Sequence, residues 1–391
     1  MTPVDPGATP LTDRVLAPDL ARGMMLLLIA LANVTVWYHS RPIGVRGYPP
    51  DPAGADQAVT IAQLALVDGR AYPLFGLLFG YGVVQLVRRR AAVGMAEGAV
   101  TALVRRRGWW LLLIGAAHGV LLFPGDIAGA YGLLGVLMAV LLVRGTGSAL
   151  LVTAAIGALV TAFLGTTVAF TAAIGQSALP STGMADPLTA LGGRAVEWLT
   201  GGLPGSMLSV FGAVALGAWA ARRGLLDEPD RHRRLLGTTA AVGLGVAVLG
   251  GLPLALIAGG LWDAPPVGIG LAGSLHALTG YAGGAGYAAL FGLLAARVAA
   301  GNGPGPVGRA VQACGQRSLS CYLAQSVAYA ALLPAWTLGL GAQLQPATAA
   351  LLAVSVWLVI LLVAALSAGA GLRGPAETLL RRLTYGRART G

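Results

Sequence analysis

The chain alternates long apolar runs with short polar connections. Ten runs approach the length of about 20 residues that a bilayer requires of a helix, at about 20–38, 70–87, 107–123, 127–143, 149–174, 206–221, 235–260, 271–296, 317–340 and 348–371. This pattern predicts an all-α fold: a polytopic integral membrane bundle of about ten transmembrane helices. Residues 57–67 are apolar but too short to cross alone. They read as an outward extension of the second helix, with Pro73 as a kink and Asp68 and Arg70 drawn into the membrane. The connection from about 175 to 205 is long, and two readings fit it: a short helix lying on the surface, with Leu188, Leu191, Trp198 and Leu199, or an irregular loop.

Composition excludes an ordinary soluble domain. Of 391 residues, 56% are apolar and 10% are charged, against roughly 25% charged in a typical soluble protein. The mean hydropathy is +0.75. Ala30 and Ala32 place an A-x-A pattern in the first run, but the segment ahead of it is long and carries Asp5, Asp13 and Asp19, so an uncleaved anchor is expected. The string LFGLL recurs at Leu74–Leu78 and Leu290–Leu294, in spans that do not correspond under a five-plus-five division, so no internal repeat is read.

All 26 basic residues are arginine, and the net charge is +11. Without lysine, a Walker A loop, a Schiff base and a serine–lysine dyad are excluded. The arginines sit in short connections, which points to membrane topology and not to nucleic acid. With both termini cytoplasmic, 22 arginines fall inside and four, Arg41, Arg46, Arg70 and Arg194, fall outside. The expected arrangement is therefore N-in and C-in. Cys314 and Cys321 read as two points on one helical stretch, too far apart for a disulfide. His39, His118, His232 and His276 are too scattered to suggest a metal.

Polar residues inside apolar spans mark helix packing or function. In the first span Asp19, Arg22, Asn33 and Trp37 fall within an arc of about 60°. Asp19 and Arg22 are also i,i+3 neighbours able to pair. The face reads either as an inner-interface cap with an interhelical amide bond, or as part of a binding site. In the ninth span Ser318, Tyr322, Gln325 and Tyr329 form a stripe of similar width, suited to interhelical hydrogen bonds or to lining a cavity for a polar ligand; cavity lining is the expectation. His118 lies near the outer end of the third span, below the turn Phe123-Pro124-Gly125-Asp126. A histidine there is either a structural hydrogen-bonding group or a general base, oriented by Asp126 if the chain folds back. His276 shares a face with Gly280, Gly283 and Tyr287 and reads as packing. His39 is a reserve candidate at the outer boundary.

These segments carry a resemblance. Pro18-Asp19-Leu20-Ala21-Arg22-Gly23, within Arg14 to Asn33, resembles the opening of the YeiB-like membrane proteins, the family of the domain of unknown function numbered 418. Further matches follow in order. Arg70 precedes Leu74-Phe75-Gly76-Leu77-Leu78-Phe79-Gly80-Tyr81-Gly82; His118-Gly119 precedes Gly125-Asp126-Ile127 and Tyr131-Gly132-Leu133-Leu134-Gly135. Later come Gly315, Ser318-Leu319-Ser320, Tyr322-Leu323 and Gln325-Ser326, then Gly374-Pro375-Ala376-Glu377 and Arg382-Leu383-Thr384-Tyr385-Gly386. Gln316 stands where the family pattern has arginine, and Cys321 where asparagine is common.

The resemblance implies a cytoplasmic disordered N-terminus over 1–13, one YeiB-like transmembrane domain over 14–386 with the C-terminal family region at about 206–386, and a tail at 387–391. It also implies a bacterial inner-membrane location and a distant similarity to membrane acyltransferases such as heparan-alpha-glucosaminide N-acetyltransferase and the acyltransferase 3 group. The expected function is acyl transfer to an extracytoplasmic glycan, lipid or small metabolite, from acyl-CoA or another acyl donor. His118 and Asp126 would be catalytic. Asp19, Arg22, Asn33, Arg70, Ser318, Tyr322, Gln325 and Tyr329 would bind substrate, with Arg70 taking anionic charge. The alternative is a transporter or permeation pathway for a small polar or amphipathic compound. Expected partners are the bilayer and this substrate, without nucleic acid or metal, and the oligomeric state is open.

Overall fold

A computed structural model describes residues 16–386 except Gln176, Ala178 and Asn302. The expected N-terminal segment over 1–13 and tail at 387–391 lie outside the described residues. Among these residues the regular structure is all helical. In chain order the helices are α1 (Leu16–Val34), α2 (Ala55–Leu66), α3 (Ala71–Ala92), α4 (Glu97–Leu121), α5 (Ala128–Leu137), α6 (Ala139–Arg144), α7 (Gly147–Gly165), α8 (Thr167–Ile174), α9 (Pro187–Glu197), α10 (Leu203–Arg222), α11 (Arg233–Ala258), α12 (Pro266–Ala300), α13 (Pro306–Gln316), α14 (Ser318–Leu332), α15 (Pro346–Gly369) and α16 (Pro375–Tyr385).

Among the described residues, seven helical stretches are long and apolar enough to cross a membrane: Leu16–Trp37, Ala55–Ala92, Gly147–Ala173, Pro187–Arg222, Arg233–Ala258, Pro266–Ala300 and Pro346–Gly369. Three expected spans have a different character. α4 has 25 residues, enough for about 37 Å at 1.5 Å per residue, but its first turns carry Glu97 and Arg105–Arg107. The fourth span is divided at Met138 into α5 and α6. The ninth is the 15-residue α14, separated from α13 by a break at Arg317.

That break corrects the placing of Cys314 and Cys321 on one helix: the two buried, unbridged thiols belong to α13 and α14, on either side of it. A second break lies between α2 and α3. It falls at Gly69, whose φ of +73° favours glycine, and not at Pro73. Pro73 sits in the first turn of α3, where its missing N–H has no helical acceptor to lose. Residues 57–66 thus belong to a separate helix, α2, with Val67 in the turn that follows. Gln57 Nε2 donates to Gly259 O and Gln63 Nε2 to Leu31 O, at 2.8 and 2.9 Å.

The 175–205 connection contains the helix that one of its two readings foresaw. Asp186 caps α9, its carboxylate accepting from Thr189 N and Oγ1 at 2.7 Å each. The bond from the Thr189 backbone, then that from its hydroxyl, holds the Asp186 carboxyl below its ordinary pKa. Leu188 and Leu199 are exposed, but Trp198 is buried, contrary to the surface reading.

The bundle is organised around close helix contacts. α11 runs along α12, α10 packs on both α3 and α7, and α4 pairs with α5. At the α3–α10 crossing a Cβ on Gly80 would strike Val214 O, and one on Gly217 would strike Leu77 O. Small residues there let backbones approach where no aqueous hydrophobic effect drives association. Large apolar side chains such as Leu113, Phe163, Leu249 and Leu362 remain exposed on the outside, as a surface solvated by lipid requires.

Candidate functional site

The third and fourth expected spans meet at a tight turn that joins His118 to Asp126. Leu122 N and Phe123 N both donate to His118 O at the end of α4, at 2.9 and 3.0 Å. The chain reverses through Pro124 and Gly125, and Asp126 caps α5. Its Oδ1 accepts from Ala128 N at 3.0 Å, and its Oδ2 from Gly129 N at 2.6 Å. A carboxylate is favoured here because the first N–H groups of a helix have no internal acceptor and carry partial positive charge.

His118 Nδ1 lies 2.7 Å from the same Oδ1. The two side chains are 1% and 0% exposed. A carboxylate already holding two backbone N–H groups acts as the acceptor, so Nδ1 carries a proton, and in the neutral form of the ring the Nε2 lone pair is left available. Nε2 is buried without a hydrogen-bond partner. The geometry depends on close approach of α4 and α5: a Cβ on Gly115 would overlap the backbone of Gly129 and crowd Asp126 Oδ2.

Aromatic groups surround the pair. The His118 ring centroid is 5.0 Å from that of Tyr322 and 6.4 Å from that of Phe123. Phe123 stacks on Trp37 at 5.3 Å, and Tyr322 Oη accepts from Ile127 N at 3.3 Å. Trp198 packs on Gly119 and approaches Gly129. Its Nε1, like Trp37 Nε1, is buried without a partner.

Arg194 is the residue that sequence reasoning missed as a site candidate. It is 4% exposed. Its Nε donates to Val120 O at 2.9 Å, two residues along α4 from His118, and its guanidinium lies 4.5 Å from the Trp336 ring centroid. Nη1 has no hydrogen-bond partner. One turn on, Glu197 accepts from Ser181 N and Oγ at 2.7 and 2.6 Å. The available signal was that Arg194 is one of only four arginines on the side against the charge bias.

The other expected binding residues divide among separate positions. Arg22 Nη1 donates to Asp19 Oδ1 at 3.3 Å, and Nη2 reaches Leu78 O at 3.5 Å, so this pair joins α1 to α3. Asn33 Oδ1 accepts from Tyr72 Oη at 2.6 Å, a second α1–α3 link. Arg70 is fully buried, but its environment differs from the expected anion site. Its guanidinium donates to Asp68 O at 2.5 Å and to Ala247 O, and faces His276 Nδ1 at 2.8 Å. It fills the space that Gly251 and Gly283 leave open, clamping α3 to α11 and α12. The His276 ring lies beside Gly69, packed between α12 and the turn before α3.

The ninth-span stripe also differs from the cavity lining expected of it. Gln325 Nε2 donates to Leu26 O and Tyr329 Oη to Ala30 O, each at 2.9 Å, so these buried side chains tie α14 to α1. Periodicity placed them on one face; the neighbour on that face is a helix. Ser318 is half-buried at the start of α14. Tyr322 alone of the four lies against His118. His39 Nε2 is 3.1 Å from Leu333 O, an anchoring contact.

Among the described residues no three His, Cys, Asp or Glu side chains are grouped to hold a metal ion. Fold and lipid-facing surface define an α-helical membrane protein. The family model described as "Protein of unknown function (DUF418)" matches residues 220–387, which carry α11 to α16, and the resemblance read from the motifs is thereby supported. His118, Asp126 and Arg194 precede the matched region; Tyr322 and Trp336 lie within it. No curated protein matches the chain.

Proposed function

We propose that the protein is a multi-pass bacterial inner-membrane acyltransferase with both termini in the cytoplasm, modifying a glycan, lipid or small metabolite on the extracytoplasmic side. The observation that carries this reading is the buried His118–Asp126 pair with its unpartnered Nε2. His118 Nε2 takes the proton from an acceptor hydroxyl or amine as that oxygen or nitrogen attacks the acyl carbonyl of a thioester donor. The new C–O or C–N bond forms, the C–S bond breaks, and His118 returns the proton to the departing thiolate. Asp126 stabilises the transient imidazolium and fixes the ring; a positioned base of this kind contributes roughly 10²–10⁴-fold in rate. Arg194 supplies fixed positive charge for an anionic substrate group.

Replacing His118 with alanine at matched protein level should abolish the acylated product in lipid and glycan fractions read by mass spectrometry; unchanged product removes His118 from the mechanism. A transport role is the second reading, favoured by the buried Arg70–His276 contact and by Tyr48 Oη donating to Asp68 Oδ2 at 3.1 Å, polar groups away from the dyad. Substrate uptake into vesicles holding the His118 variant would favour transport.

A further inference from the structure

At the other end of α4 from His118, a groove of about 720 Å³ opens between α4 and α6. Its lining includes Thr101, Arg105, Arg106, Trp109, Trp110 and Arg144. The residues of α4 recur at i+4, so Thr101, Arg105 and Trp109 follow one line and Ala102, Arg106 and Trp110 the next. Arg144 ends α6. Its guanidinium lies over α4 beside Gly98, where a Cβ would make an ordinary contact with Nη2 at 3.8 Å. One carboxylate stands nearby, Glu97, with Oε2 3.4 Å from Arg144 Nε. Three guanidinium groups against one carboxylate leave the groove positive.

The order of chemistry along the groove identifies the ligand class. Arginines lie nearest the end of the helix, tryptophans one turn further in, and Leu113 a turn beyond. Trp109, Leu113 and Val140 are 53, 56 and 46% exposed, so the groove opens sideways onto the apolar surface. Tryptophan marks the headgroup level of a bilayer. A soluble phosphate compound would match only the arginines, whereas an amphiphile with an anionic head matches the whole sequence.

We propose that this groove is a binding site for an anionic phospholipid, its phosphodiester held by Arg105, Arg106 and Arg144 and its glycerol and first methylenes lying along Trp109 and Trp110. Clustered arginines at a membrane surface attract anionic lipid in general; this site adds the arginine–tryptophan–leucine order within one groove. It is independent of the chemistry at His118.

The test uses the full chain in phosphatidylcholine nanodiscs, titrated with brominated phosphatidylglycerol or brominated phosphatidylcholine while tryptophan fluorescence is read. Saturable, phosphatidylglycerol-selective quenching is expected. The W109F/W110F double variant should remove the selective component. The R105Q/R106Q/R144Q variant should weaken its half-saturation tenfold or more, while R231Q/R233Q/R234Q, changing three exposed arginines elsewhere, should leave it within twofold. Equal loss in both triple variants would reduce the site to general charge attraction and overturn the proposal. Displacement by millimolar inorganic phosphate or glycerol 3-phosphate would also overturn it, since the site would then read a free phosphate. Native mass spectrometry of the same variants, counting retained phosphatidylglycerol, must agree; retention unchanged in R105Q/R106Q/R144Q contradicts the assignment.

Discussion

Asp126 holds His118 and the start of α5 with one carboxylate: Oδ1 lies 2.7 Å from His118 Nδ1 and 3.0 Å from Ala128 N, while Oδ2 accepts from Gly129 N at 2.6 Å. The residue that holds the proposed base thus also caps the following helix. Two losses are therefore separable by substitution. Asp126→Asn retains an oxygen able to cap α5 but loses the charge that stabilises imidazolium. It should retain the fold and lower product formation by about 10²-fold or more. Asp126→Ala removes the cap as well and should destabilise the protein by about 1–2 kcal/mol, read as a lower midpoint in detergent denaturation. Equal melting of the Asn and Ala variants would contradict the capping role.

Gly115 is required by the α4–α5 contact. A Cβ there would meet Gly129 N and Asp126 Oδ2, so Gly115→Ala should separate the helices or shift the carboxylate. The expected cost is about 1–3 kcal/mol, with product lost even where folded protein is recovered. Gly192 has open space around its Cβ position, so Gly192→Ala should change neither quantity. Thermal unfolding and product yield of the pair check this.

The N-terminal end of α14 rests on Glu377. Its Oε1 accepts from Leu319 N at 2.7 Å and Ser320 N at 3.2 Å, and its Oε2 accepts from Ser320 Oγ at 2.5 Å. Glu377→Gln removes the negative charge from a helix N-terminus, a loss of about 0.3–1 kcal/mol. It should make α16, which packs on α4 and α14, more susceptible to proteolysis after Arg381 or Arg382. An unchanged trypsin half-life would contradict the docking role.

α9 should respond to acid locally. Hydrogen bonds from Thr189 hold the Asp186 carboxyl below its ordinary value, so the folded-state pKa is lower than the unfolded one. The cap's contribution is complete above the ordinary carboxylate pKa of about 4 and is lost as pH falls through the lower folded value. Hydrogen exchange at Thr189, corrected for intrinsic rate, should quicken over that range in wild type. In Asp186→Ala it should already be fast at neutral pH and show no such step.

The apolar runs revealed the helices because a bilayer demands long uninterrupted hydrophobic segments. The His118–Asp126 pair was legible for a local reason: they stand eight positions apart across a Pro-Gly turn, leaving little freedom in how the chain returns. The i,i+3 pairing of Asp19 with Arg22 was equally local. Arg194 and Trp198 were harder to place, since they reach α4 from a connection some 75 residues later in the chain. The Gln325 and Tyr329 stripe shows the limit of periodicity, which identifies a face but not what covers it. For Arg70, burial was foreseen, but the contact with His276, 206 positions away, was not.

The proposed outward orientation of the α4–α5 turn is central, because the proposed base must meet an extracytoplasmic acceptor. Arg194 Nε donates to Val120 O, which fixes α9 at the His118 end of α4, while Ala96 immediately precedes the opposite end. In a C314S/C321S background, G192C should react with a membrane-impermeant maleimide in intact cells, and A96C should react only after permeabilisation. The reverse pattern would place the Arg88–Arg107 connection outside and His118 toward the cytoplasm, contradicting both the arginine-derived topology and the extracytoplasmic site.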